Sequence, residues 1–247
     1  MESIYKQNGL VFWTQDEINM RKTVEAEIVS AVSNCLNSQN KAWVLTQIEA
    51  SLLTPKNLIN PNYTKEDIFV VNEDLTLRPE TTMGSYAYAK DLFDSQKMKM
   101  PFCVWQHGKS FRNEQNTPLT KMRLKEFYQL EFQCIYSLST KNDYSEKLIL
   151  KMVEVLQSLI GDCYLEISDR LPDYSEKTID IVSKRDDMEV CSMSIRKDYP
   201  NAKVFEIAVG SDRCVYQMIH KKEMNANKSL VVKEAFEKTN NEPKKLS

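Results

Sequence analysis

At 247 residues with 42% hydrophobic content, the chain is long enough to bury a sizeable core, most simply in one large α/β domain. Its formal net charge of −2 excludes a protein that coats nucleic acid through bulk electrostatics, so any RNA contact has to be local. The six cysteines form no CxxC pair and indicate neither a zinc site nor a disulfide framework, which fits a reducing cytoplasm, and no apolar run approaches the roughly 20 residues of a membrane span.

Near the start, Thr14 and Glu17 have the spacing of a capping box, and Ile18, Val24, Ile28, Ala31 and Val32 follow as an apolar helical stripe. A strand in AWVLTQIEASLLTP comes next and ends near Pro55. Residues 67–79 read as a hairpin with Asn72, Glu73 and Asp74 at the bend. That hairpin delivers Arg78 and Glu80 to a strand end, where Thr81 opens a helix whose first amides are free donors. On the residues alone, Glu80 is a carboxylate placed against a helix N-terminus.

The densest polar chemistry lies in 102–136, FCVWQHGKSFRNEQNTPLTKMRLKEFYQLEFQCIY, which reads as a strand, a charged loop and a returning strand. Two-residue spacing places Arg112 and Glu114 on one face of the first strand, and Arg123, Lys125 and Phe127 on one face of the second. A guanidinium that forks onto phosphate, a carboxylate that takes an adenine amino group and a ring that stacks on a base suit a nucleotide. A salt-bridged surface hairpin is the alternative. Further on, Leu148, Leu150, Met152, Val153, Val155, Leu156 and Leu159 form an amphipathic helix over 144–160, stopped by Gly161. Two strand-like segments follow, over 163–169 and 173–181. Residues 204–209 read as a buried strand that enters a helix near Ser211 through Gly210, a geometry suited to binding an anion.

SFRNE, a short loop and RLKEF, with Glu131 four residues after Phe127, resemble motif 2 of the class II aminoacyl-tRNA synthetases, and most of all the glycyl-tRNA synthetases. LRPETTMGSYAYAK stands where that family carries an LRPETAQG-like segment. KVFEIAVGSDR is similar to motif 3, with Glu206, Gly210, Asp212 and Arg213 matching and Ala208 replacing a serine. DYSEKTIDI resembles HYSNATYDI, with Asp173 in place of the histidine. MEVCSMSIRKDYP resembles ELEGIADRTDYD, with Glu189, Arg196, Asp198 and Tyr199 in register and Cys191 where the family has its second glutamate. The opening helix and the strand after it resemble motif 1, the family's dimer interface.

The resemblance implies an α/β (α+β) fold, a six- or seven-stranded, mainly antiparallel sheet flanked by helices, over a catalytic domain spanning 1–220. The remaining 221–247 would be a polar tail with seven lysines against four glutamates, and the family's anticodon-binding domain has no counterpart. The implied reaction is attack of an amino-acid carboxylate on the α-phosphate of ATP, with Mg2+. In it Arg112 bridges carboxylate and α-phosphate, Glu114 reads the adenine amino group, Phe127 stacks, Arg213 holds the γ-phosphate and Arg123 adds to the ATP site. Glu80, Glu189 and Glu206 would line the amine and metal region, with Glu206 as the candidate Mg2+ ligand and Arg196 and Ala208 also in the amino-acid pocket. Ala208 and Cys191 imply a pocket slightly larger and less polar than a glycyl enzyme's, so glycine is expected first, with alanine or serine also accepted. His107 falls on an apolar family position and reads as structural. A cytoplasmic homodimer acting on tRNA, a ligase serving another acceptor, and a non-catalytic binding module all remain open.

Overall fold

Thr14 caps the first helix as its sequence predicts. Its hydroxyl accepts the Glu17 amide, while the Glu17 carboxylate takes the Thr14 amide at 2.7 Å. The structure, a computed structural model, describes residues 9–38, 42–114, 122–140, 144–169 and 171–222, so the tail 223–247 lies outside the described residues. From its cap, α1 (Gln15–Asn37) buries Val24, Ile28, Val32 and Leu36 at four-residue spacing, with Glu17 and Arg21 on the same buried face. It leads to β1 (Val44–Gln47), β2 (Leu53–Pro55) and β3 (Leu75–Leu77). The bend at 72–74 forms where predicted, with Asn72 Oδ1 accepting the Asp74 and Leu75 amides, both at 2.9 Å. The ladder partner of β3, however, is β2. Only a single bridge, Val70 to Thr76, closes the expected hairpin.

Next come α2 (Thr82–Asp94), β4 (Phe102–Phe111), β5 (Glu126–Ser137) and α3 (Tyr144–Ile160), which Gly161 ends at φ +98°. The chain continues through β6 (Cys163–Ile167), β7 (Ser175–Ser183), β8 (Met188–Arg196) and β9 (Ala202–Gly210) into α4 at 211–222. Seven strands form one sheet in the order β1-β4-β5-β9-β8-β7-β6, antiparallel throughout except for the β1–β4 pair.

The two-residue period of the strands separates a packed face from a working face. In β9, Phe205, Ile207 and Val209 join the core beneath α1 and α3, while Glu206, Ala208 and Gly210 alternate onto the opposite face. In β8, Cys191 and Met193 face that core, and Ser192, Ser194 and Arg196 share the face of Glu206. A smaller core beneath α2 joins Ala89 and Leu92 to Phe102, Val104, Ile135 and Val204 on the working side. No described helix is long and apolar enough to cross a membrane.

Candidate active site

Arg78 fixes the ground plan of the site. Although it belongs to the RPE triplet, it is fully buried and donates to the carbonyls of Lys109 (2.7 Å) and Ala50 (2.9 Å). Gly108 makes room for it, because a Cβ there would lie 2.3 Å from Arg78 Nη2. The arginine therefore clamps the entry of α2 onto β4, and Glu80 is left facing a cleft.

The first turn of α2 then meets a buried carboxylate. The hydroxyls of Thr81, Thr82 and Ser85 donate to Glu131 at 3.0, 2.8 and 2.7 Å. Gln133 Nε2 donates to Glu131 at 2.9 Å and to Glu206 at 2.7 Å, linking the two carboxylates. Burial, with Glu206 nearby, pushes the Glu131 carboxyl up to about 8. Glu80 accepts the Tyr63 hydroxyl at 2.7 Å and lies 3.7 Å from Arg112; burial raises its pKa, and Arg112 opposes the rise.

Above this floor lies a cleft of about 520 Å³, and all the nucleotide-site candidates line it: Arg112, Glu114, Arg123, Phe127 and Arg213. Phe127 comes off β5 as its spacing predicts, but Arg112, Glu114 and Arg123 do not come off strands. β4 stops at Phe111 and β5 starts at Glu126, so Arg112, Glu114 and Arg123 belong to the connection, whose 115–121 stretch lies outside the described residues. Arg112 is held by its Nε donating to the Pro79 carbonyl at 3.1 Å, with its guanidinium 5.1 Å from the Phe127 ring centre. Burial opposes the charge on Arg112, but Tyr63, Glu80, Glu114 and Glu189 outweigh it. Glu114 and Arg123 face each other at 3.6 Å. Arg213, in the first turn of α4, donates to the Glu189 carbonyl at 2.8 Å and lies 3.7 Å from its carboxylate. Burial lowers the Arg213 pKa, against the pull of Glu189.

Three assignments change. Arg196 lines a second cavity beside the cleft and not the cleft itself. It lies between the rings of Tyr174 (3.9 Å) and Tyr86 (4.4 Å), paired with Asp198 and Glu206, and so positions Glu206 from below. Glu206 is for the same reason a poor Mg2+ ligand, because Arg196 and Gln133 occupy Oε2 and the Tyr174 hydroxyl donates to Oε1. Cys191 is not a pocket residue but lies in the packed core, and Ser192 stands opposite Ala208 in its place. No cluster of three potential ligands exists among the described residues. Glu189, with half of its side chain exposed, is the carboxylate free to meet a cation whose other ligands come from phosphate and water, the usual condition of Mg2+.

Sequence reading assigned no role to Glu131 and did not single out Tyr63. Glu131 was visible within the motif, but a carboxylate in an alternating strand gives no sign of three hydroxyls reaching it from a distant helix. Tyr63 lies in an irregular segment without periodicity. His107 is structural, its Nδ1 lying 2.8 Å from Glu25.

The sheet, its covering helices and a cleft built by the β4–β5 connection and the β9–α4 junction define a class II synthetase core. The Desulfitobacterium hafniense pyrrolysyl tRNA synthetase shares that fold, with a TM-score of 0.58 over 84% of this chain and 74% of that chain at 16% identity. Residues 63–242 match the tRNA synthetase class II core domain (G, H, P, S and T), and the chain belongs to that family. It is similar to the glycine--tRNA ligase of Mycoplasma genitalium, with 31% identity over 148 residues, 59% of this chain and 31% of that protein. It is also similar to that of Mycoplasma capricolum subsp. capricolum, with 28% identity over 234 residues, 80% of this chain and 49% of that protein. The chain thus spans between about a third and a half of the length of these relatives.

Proposed function

We propose that the chain activates a small amino acid, glycine first, by joining its carboxylate to the α-phosphate of ATP, and passes the aminoacyl group to an acceptor, tRNA first. The observation that carries this reading is one cleft holding three arginines, a ring and a carboxylate at its mouth above Glu80 and Glu206 on its floor. The amino-acid carboxylate oxygen bonds to the α-phosphorus as the bond to the departing pyrophosphate breaks. No proton has to move in that step, so positioning and neutralisation of charge dominate.

Arg112 lies where it can exchange its protein contacts for the carboxylate and α-phosphate, and Arg213 takes the terminal phosphate. Phe127 stacks on adenine, Glu114 accepts from its amino group and Arg123 steadies Glu114. Glu80 receives the substrate ammonium, Glu206, held by its protein partners, adds negative charge beside it, and Ala208 bounds the pocket next to them. Glu189 would hold Mg2+, which when bound draws charge from the phosphates. Residues 1–220 would form this catalytic unit with 221–247 as a tail, in a cytoplasmic homodimer.

Exchange of labelled pyrophosphate into ATP, measured for each amino acid in turn with added Mg2+, is expected to show glycine as the strongest stimulant. No stimulation by any amino acid would refute adenylate formation. Charging assays with tRNA would then test the acceptor.

A further inference from the structure

A second cavity, of about 500 Å³, lies against the amino-acid end of the cleft. Asn60, Glu80, Thr82 and Tyr174 line both spaces, so Glu80, which would hold the ammonium, borders the cleft and this chamber alike. Its remaining walls are mainly apolar, with Leu58, Ile59 and Pro61 on one segment and Met83, Tyr86 and Ala87 on α2. Among the charged groups at its border, Lys90 pairs with Asp94, Asp91 with Lys97 and Asp198 with Arg196, and the other two, Glu80 and Asp173, are both acidic. An apolar recess of this size beside convergent polar groups has the character of a ligand site. Cys191, which stands where the resembled family has a glutamate, lies in the opposite core and does not bound this chamber.

We infer that this chamber receives the apolar side chain of an amino-acid substrate, so that the chain activates amino acids with apolar side chains in addition to glycine. The inference rests on the proposed amino-acid activation and concerns the same site. The ammonium stays at Glu80, and the side chain extends past Glu80 and Tyr174 to Leu58, Met83 and Tyr86. Because those walls are apolar and the further charges at the border, Glu80 and Asp173, are acidic, leucine and phenylalanine are favoured over aspartate and glutamate.

The full-length chain tests this by pyrophosphate exchange with glycine, leucine, phenylalanine and aspartate. Leucine or phenylalanine should stimulate exchange, and aspartate should not. Ala87→Trp fills the chamber from an exposed position on α2 and should lower the ratio of leucine or phenylalanine exchange to glycine exchange at least about tenfold. Leu58→Trp narrows the chamber from the opposite wall and serves where the first variant fails to fold. Exchange with glycine alone, or a ratio unchanged in the folded variants, overturns the inference and leaves the proposed activation standing. Exchange with no amino acid overturns both.

Discussion

Arg112 and Arg213 each spend one donor on a backbone carbonyl and keep the rest of the guanidinium beside a carboxylate across the cleft. That arrangement holds the side chains in place before substrate arrives and lets phosphate replace the weaker partner. Arg112→Ala and Arg213→Ala are each expected to reduce pyrophosphate exchange by about 10² to 10³, with circular dichroism unchanged; near-normal exchange in either would remove it from the site. Glu131 gives a prediction of a different kind. Its carboxyl stands at about 8 in the folded chain against an ordinary 4.5, so between those pH values the folded state holds a proton that the unfolded chain has released. The stabilisation is complete below about 4.5 and is lost as pH rises through about 8. The urea midpoint should fall from pH 5 to pH 8, and Glu131→Gln should flatten that slope while lowering stability by about 1–3 kcal/mol through its mismatched donors.

At the scale of elements, α1 is tied to the start of α4 by one buried ion pair. Arg21 Nη1 lies 3.1 Å from Asp212 Oδ1, with the guanidinium 3.8 Å from the Tyr128 ring centre, and Asp212 also accepts the Tyr128 amide at 2.8 Å. Burial pushes the Asp212 carboxyl up to about 6, a sign that desolvation outweighs the help of its partners. Arg21→Ala leaves that carboxylate buried without its cation and should cost about 3–5 kcal/mol in chemical denaturation. Asp212→Asn in the same chain should restore part of the loss, and strict additivity of the two substitutions would show that the pair is uncoupled. Arg213 is the residue after Asp212, so the same pair also anchors the base from which Arg213 reaches the cleft. The sequence of α1 carried a trace of this, because Glu17, Arg21, Val24 and Ile28 follow one another at spacings of four, three and four residues and share one buried face. What they met on that face was not readable from α1 alone.

For the whole molecule, among the described residues the sheet ends in β1 on one side and β6 on the other, and both edge strands carry exposed apolar residues, Val44 on β1 and Leu165 and Ile167 on β6. An open edge next to apolar surface favours self-association, and twofold dimers are the commonest assembly. Light scattering at micromolar concentration should give a mass near twice 28.7 kDa; a monomer mass would count against the homodimer. The helices and most of the strands were legible in the sequence because capping, side-chain period and turn residues act over a few neighbours, and the three motifs and their order were legible through the family resemblance. So was the membership of Glu206 and Ala208 in one strand face, since alternation is local. Which residues of β8 share that face was not, because register between strands depends on the whole sheet. The pairing of Ser192 with Ala208 turned Cys191 into the core, and a shift of one residue would have reversed every side chain. The partners of Glu206 were settled the same way. Arg196 reaches it across a strand pair, Gln133 from β5 and Tyr174 from the segment before β7, so a carboxylate that looked free to bind a metal is bound by the protein. Sequence alone determined which groups the chain could bring to a nucleotide and an amino acid. Only tertiary packing, by spending some of those charges on one another, decided which remain available for substrate.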